Sequence, residues 1–572
     1  MGGGDTMIRK GLMYLLAGAI LVSLGVPRAG EGAPARRDIV VGMYAEPDTL
    51  NPLVTSTNGA EIINETFLDP LVEYDRDSRL QPVLVESIPT LQNGGIKLRP
   101  DGKMDVTWRL RAGAAWQDGQ PVTSADALFT DEVASSPKVP LGTYSCGVKN
   151  LIDRVQAPDA RTFVVTFKAQ YAFATECAVE GAKHGLLPRH VFEPVYRRDP
   201  AKIKDMPYGQ DPSVTIGDGP FRFVRRAQGS EIVVEANPSY WRGRPEVDRI
   251  VFRFFPDANA IVANLLSGAI DVAAPQPVGI NFAQALQIDE LIQRGQAKGI
   301  AVRYKPVAIH EALFFNQANP LLRDLRVRQA LAYATDRQAI SEALFRGKQP
   351  ATDLFLPPNT PMVDTQIRTY PHDAAKARGL LGEAGWRPGG DGIMVNGAGQ
   401  RLQLVITATS GNRDRERIEQ ILQQQWKDAG VDLVVENAPA RIVYGELFYQ
   451  RRYKGVLLGS DAFATPLHPR LDVYYSREIK DVGVVSRNEL GWSTPQTDTI
   501  ITAYLREPDV NKRKALVSQF QRIWADEVPL LPLYWWVSVW AYNEKLQGID
   551  PVGTAIDPSP FVWNARLWRW AQ

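Results

Sequence analysis

Cysteine and histidine are scarce: two of the first and five of the second in 572 residues. The histidines (His184, His190, His310, His372 and His468) form no H-E-x-x-H and no i, i+4 pair, and Cys146 and Cys177 lack the partners of a zinc cluster. G-x-S-x-G, the Walker A loop and G-x-G-x-x-G are also missing. Paired acids such as Asp75 and Asp77 are better explained as charged surface than as a general acid and base. These gaps leave no motif for an activated nucleophile, a metal centre or a nucleotide cofactor, so no metal, no cofactor and no enzymatic activity is expected. Charge of one sign is lacking too. The formal net charge is +1 and the charged residues are dispersed, so no nucleic acid or other polyanion is implied as a partner. No internal repeat or low-complexity segment is evident.

Long hydrophobic runs are missing everywhere except near the N-terminus. There Arg9 and Lys10 precede an apolar stretch over residues 11–26, shorter than the roughly 20 residues of a membrane span. Ala33-Pro34-Ala35 is a cleavage candidate, so residues 1–35 read as a secretory signal, with an uncleaved membrane anchor as the alternative. No cysteine follows the stretch, which disfavours a lipid-anchored lipoprotein. The mature chain is therefore expected to be soluble and periplasmic. Export would place Cys146 and Cys177 in an oxidising compartment, where they form either a bridge or two buried thiols.

The chain is long enough for two to four domains, and its 13 tryptophans suit ligand pockets and interfaces as well as cores. Residues 39–43 read as a short strand and residues 59–68 as a helix with Ile62, Ile63 and Phe67 on its buried side. In TWRLRAGAAWQDGQPVTSADALFT, Val106, Trp108 and Leu110 alternate with Thr107, Arg109 and Arg111. A turn follows at Asp118-Gly119, and a helix begins at Thr123 or Ser124. Asp257 is the expected N-cap of a helix that Gly268 closes. Asp336 and Gly347 are the expected caps of another, which follows a helix carrying Val327, Ala330, Leu331 and Ala334 on one face. Strands at residues 402–408 and 431–436 flank a helix with Ile418, Ile421, Leu422 and Trp426 on one face, which suggests a βαβ unit in a mostly parallel sheet.

The order LR-x-G-x-x-W-x-DG-x-P-V-T-x-x-D, from Leu110 to Asp126, resembles the signature of the family 5 extracellular solute-binding proteins, which include the oligopeptide- and dipeptide-binding proteins of ABC importers. A second cluster is similar as well, at Gly219, Pro220, Asn237, Tyr240, Trp241, Pro256, Asp257, Leu265, Gly268 and Asp271. Asp218 stands where the family usually has threonine. The resemblance covers roughly residues 38–572.

It implies an α/β, two-lobed fold of periplasmic-binding-protein type II (cluster C) with an extra inserted domain. Residues 36–72, 184–308 and 529–572 would form a discontinuous first lobe, residues 73–183 the inserted domain, and residues 309–528 the second lobe. The implied function is capture of a ligand, a peptide first of all, between closing lobes, followed by delivery to a membrane permease and ATPase complex. The protein is expected to act as a monomer. Nickel chelates, haem, opines and oligosaccharides are alternative ligands on the same scaffold, and a secreted hydrolase or a periplasmic chaperone are more distant alternatives.

In peptide-binding members an aspartate of the second lobe pairs with the ligand's amine in a G-W-x-x-D stretch before a proline. Asp461 in LLGSDAFATP is the matching candidate, although the tryptophan is missing and the spacing to Pro466 is one longer. Ser56, Thr57 and Asn58 align with a segment that touches ligand backbone, or form a polar turn capping the next helix. Tyr534 and Trp536 share one face of the C-terminal strand and Trp535 the other, and one set is expected to line the cleft. His310 and Asn316 sit near the expected lobe crossing. Arg441, Tyr444, Arg451 and Arg452 either offer a partner to a ligand carboxylate or form a solvated face.

Overall fold

A polypeptide strand buried on both sides should read as an unbroken apolar run, and LLPLYWWVSVWAYN does. In the computed structural model this segment is the strand Leu530–Asn543, near the middle of a ten-stranded sheet. The structure describes residues 37–44, 46–55, 57–139, 146–183, 185–462, 465, 467–549 and 561–571. The expected signal segment, Ser56, His184 and Pro466 lie outside them. Among the described residues, no helix is long and apolar enough to cross a membrane.

Leu530–Asn543 pairs antiparallel with the equally long Ile300–Phe315. These two crossing strands join the halves of the sheet. On one side lie Val272–Ala273, Asp38–Met43, Arg249–Phe254, Glu231–Ala236 and Phe221–Ala227; on the other, Val456–Ala462, Gln403–Thr407 and Asp432–Val435. The register of the crossing pair shifts twice, between Pro306 and His310 and between Glu311 and Ala312. Pro306 stands at the first shift and Pro532, opposite Ala312, at the second. A proline has no N–H to give to a ladder, so in an interior strand it belongs at such an irregularity.

The βαβ reading holds locally. Gln403–Thr407 runs parallel to Asp432–Val435, with the helix Arg413–Asp428 between them in sequence. The sheet as a whole is mixed, not mostly parallel, because each crossing strand runs antiparallel to its partners and Phe221–Phe254 forms a meander. Helix Asn58–Asn64 is shorter than the expected residues 59–68. A turn bonded from the Phe67 and Leu68 amides to the Asn64 carbonyl replaces its last part. That turn brings Phe67 against Gly217, where an added Cβ would stand 1.8 Å from the Phe67 carbonyl oxygen. The helix Arg337–Phe345 also closes one residue early, on Arg346 at φ 52°, with Gly347 left-handed behind it.

A separate four-stranded antiparallel sheet is ordered Ile96–Leu98, Met104–Arg109, Thr162–Phe167, Ile152–Asp159. Trp108 and Val106 point into its core and are buried, as their alternation predicts. Helix Ser124–Ala134 starts with the Asp126 carboxylate accepting from the Thr123 amide at 2.7 Å and from the Arg189 amide at 3.0 Å. Asp126 thus ties this helix to the start of helix Arg189–Arg198. Trp116 is buried and Gly119 takes the turn at φ 89°, so the tryptophan and the turn of the signature stretch serve packing and chain reversal. Cys146 and Cys177 form a disulfide with Cα atoms 6.2 Å apart.

Candidate functional site

Strand alternation fixes which side chains meet at the crossing. Val456–Ala462 pairs antiparallel with Ile300–Phe315, setting Asp461 opposite His310, and His310 in turn is paired with Trp535. The three side chains converge. The His310 Nε2 lies 4.0 Å from the Asp461 carboxylate, and its ring stands edge-on to Trp535 at 5.3 Å between centroids. Burial pushes the His310 imidazole down to about 3, so at neutral pH it carries no charge to offer Asp461.

Asp461 opens onto a cavity of about 180 Å³. Its wall includes Phe314, Phe448, Arg470, Tyr474 and Glu489. Burial pushes the Asp461 carboxyl up to about 6. The Arg470 charge, the Ala462 amide at 2.9 Å and the Tyr474 hydroxyl at 3.4 Å act the other way. Glu489 is pushed up to about 8, first by burial and then by the nearby Asp461 charge, against its own amide and the charges of Arg470 and Arg487. Among the described residues, neither carboxylate forms an ion pair with Arg470, whose guanidinium instead donates to the Ala462 carbonyl at 3.4 Å. Desolvated carboxylates that lack a cation favour a positively charged visitor.

The opposite face of the crossing strands carries a different arrangement. Arg415 Nε meets Glu311 at 2.7 Å, both side chains buried. Trp536 donates to the second Glu311 oxygen at 3.0 Å, and Arg415 also donates to Tyr444 at 3.0 Å and Thr409 at 3.1 Å. Tyr534 packs on Phe345 at 4.8 Å within that side's core. The expected site residues are therefore divided: His310, Asp461 and Trp535 share one face, while Tyr534 and Trp536 lie on the other. Thr57 is the N-cap of helix Asn58–Asn64, accepting from the Ala60 amide at 3.4 Å, and Asn58 is half-buried at its first position. Asn316 is buried and donates to the Arg451 and Tyr453 carbonyls. Arg441 is exposed, and Arg451 donates to the Lys480 carbonyl.

Arg470, Tyr474 and Glu489 escape sequence reasoning. They sit in no motif, and only the fold brings them to Asp461. Arg470 is held at φ 51°, an uncommon left-handed conformation for a residue with a side chain. The loop between Asp461 and Arg470 also receives a strap from the four-stranded sheet. Phe173 stacks on His468 at 3.6 Å, and Thr465 donates to the Glu176 carboxylate. No cluster of three or more His, Cys, Asp or Glu fit to hold a metal occurs among the described residues.

Residues 79–480 match the family model of bacterial extracellular solute-binding proteins, family 5 (middle). The oligopeptide-binding protein AppA of Bacillus subtilis is 24% identical over 561 residues, which is 96% of this chain and 93% of that protein. Among solved structures, the oligopeptide-binding protein of Thermus thermophilus complexed with a pentapeptide is 25% identical. It has a TM-score of 0.60, with 93% of this chain and 96% of that one covered. HbpA2 from Haemophilus parasuis is 18% identical with a TM-score of 0.75, covering 94% of this chain and 100% of that one, a likeness of fold.

Proposed function

Because the chain belongs to the bacterial extracellular solute-binding proteins of family 5, we propose that it is the exported capturing subunit of an ABC importer and that it binds peptides. Residues 36–72, 184–308 and 529–572 act as one lobe, carrying residues 73–183 as an inserted domain, and residues 309–528 act as the other. The lobes close on the ligand about the crossing strands, and the closed form docks on a permease and ATPase complex in the membrane. The protein works in the periplasm as a monomer after loss of its leader, without a lipid anchor. No bond is made or broken in the ligand.

The observation that carries the peptide reading is Asp461: a carboxylate on a rigid strand, at the wall of a cavity, facing a neutral histidine and paired with no cation among the described residues. A peptide's α-amine supplies the missing charge. His310 and Trp535 hold the floor beneath it, Ser56, Thr57 and Asn58 touch the ligand's backbone, and Tyr534 and Trp536 support the crossing strand from its other face. Mass spectrometry of ligand carried by the purified protein is the direct test. Recovered peptides support the reading, and a nickel chelate, haem, opine or oligosaccharide in their place removes it while leaving the family role intact. Asp461→Asn should weaken peptide binding by about 2 kcal/mol or more, roughly thirtyfold, as expected when a charge-paired amine loses its partner. Unchanged affinity in calorimetry takes Asp461 out of the site.

A further inference from the structure

Glu489 is placed by a stretch of chain more rigid than a surface loop needs. The buried Ser486 hydroxyl shares its one proton between the Glu478 carbonyl at 2.7 Å and the Asn488 carbonyl at 2.9 Å. The buried Asn488 side chain donates to the Trp492 carbonyl at 2.7 Å and accepts from the Gly491 amide at 3.1 Å and the Trp492 amide at 3.3 Å. At Glu489 and the residue after it the backbone is pinned: Tyr453 donates to the Glu489 carbonyl at 3.1 Å, and the Gln317 amide to the Leu490 carbonyl at 3.0 Å. Fixing a side chain's support in this way is how a binding site holds a group in position before its ligand arrives.

The cavity this carboxylate shares with Asp461 is close to the ~150 Å³ that holds one benzene ring, room for one small group and not for a length of chain. Arg470 is the cation of its wall. With all three ionised, and with Arg487 outside the wall paired to Asp472 at 2.5 Å, the wall carries one surplus negative charge, the complement of a single ammonium.

We propose that Glu489 is a second counter-ion for the ligand's amine, holding one ammonium jointly with Asp461 while Arg470 balances the remaining charge. This rests on the peptide reading above and extends it: the pocket selects one positive charge, not a neutral or capped end. The groups facing Glu489 are Asp461, Arg470, Arg487, and the hydroxyls of Tyr449, Tyr453 and Tyr474. Asp461 and Glu489 both become more acidic when an ammonium arrives. Burial keeps Glu489 largely protonated at pH 7, so its proton leaves as the amine enters.

The test is calorimetry of trialanine binding at pH 7 in two buffers of different ionisation enthalpy. The wild type should release most of one proton on binding, a readout that needs no variant. Glu489→Gln should bind about tenfold more weakly and release little, and Glu489→Asp, which keeps the charge, should retain part of both. Wild-type binding without proton release, or Glu489→Gln with unchanged affinity and release, overturns the proposal. If Asp461→Asn still weakens binding in that case, the peptide reading survives it. If Asp461→Asn binds trialanine as the wild type does, the shared ammonium site falls and Asp461 leaves the site while peptide capture stands; if the wild type binds no trialanine, both fall together.

Discussion

Asp461 at about 6 and Glu489 at about 8 both lie above the values of the same groups in an unfolded chain, 3.8 and 4.5. The sign follows from linkage: a raised folded value means that the native state holds its proton more tightly than the unfolded one. The stability these two groups contribute is full below about pH 4. It is lost as pH rises through 6 for Asp461 and through 8 for Glu489. Asp69 near 6, Glu419 near 7 and Glu73 near 8 slope the same way, so the useful quantity is a difference between proteins. Unliganded Glu489→Gln should keep its melting temperature better than the wild type between pH 6 and pH 8, with the gap widening as pH rises. Parallel curves would mean that the Glu489 carboxyl titrates as it does in water. At this scale the sequence is legible where a motif or an alternation carries the meaning. Asp461 is singled out by its stretch, and Trp108 is placed inward by period two. Glu489 and Arg470 are not, since a glutamate and an arginine in polar loops mean nothing until the fold turns them onto one cavity.

Elements are more legible than their arrangement. The caps at Thr123, Asp257 and Asp336 stand where short polar side chains precede apolar periodicity. Of the two crossing strands, Leu530–Asn543 is visible as an apolar run, whereas Ile300–Phe315 is broken by Arg303, Lys305, His310 and Glu311. Where reading fails, tertiary packing decides. Helix Asn58–Asn64 stops early because Phe67 must turn to meet Gly217, and the sheet is mixed because the crossing strands enter from distant parts of the chain. The cysteines belong to this scale. Their bridge closes a loop with a sequence separation of 31 and ends the strap that carries Phe173. Buried Glu180 holds the same loop from within, accepting from the amides of Cys146 at 2.9 Å, Val148 at 2.8 Å and Lys149 at 2.9 Å. The Glu180 cradle acts only in the folded state, whereas the bridge also restricts the unfolded chain. A Cys146→Ser, Cys177→Ser double variant should therefore fold with the loop in place, yet lose about 3 kcal/mol of unfolding free energy in denaturant titration. A loss below about 1 kcal/mol would show that the bridge adds little beyond the cradle.

On the scale of the molecule, the strap is where the four-stranded sheet reaches the half that carries Asp461. Phe173 lies against His468, with Tyr504 at 5.4 Å between ring centroids and the Arg513 guanidinium 5.1 Å over its face. Backbone bonds frame it: the Ala172 amide donates to the Leu505 carbonyl at 3.2 Å, and Arg513 donates to the Ala172 carbonyl. His468 itself is pushed down to about 4, first by burial, so near neutral pH the stack joins an aromatic ring to an uncharged imidazole. The clasped residues, Thr465 and His468, lie in sequence between Asp461 and Arg470, two groups of the candidate pocket, which makes the strap a brace near the pocket wall as well as a contact between parts of the molecule. Contacts that form only when two bodies meet stabilise the closed state over the open one, and removing them raises the rate of ligand escape more than it lowers the rate of arrival. Phe173→Ala strips the ring from this contact and leaves the backbone bonds, at a cost of a few kcal/mol, which on the proposed closure of two lobes falls on the closed form. Unliganded Phe173→Ala should show a larger radius of gyration than the wild type in small-angle scattering, and stopped-flow dissociation of bound peptide should quicken by tenfold or more with little change in association. An unchanged radius and an unchanged dissociation rate would reduce the strap to packing within a body that does not open there.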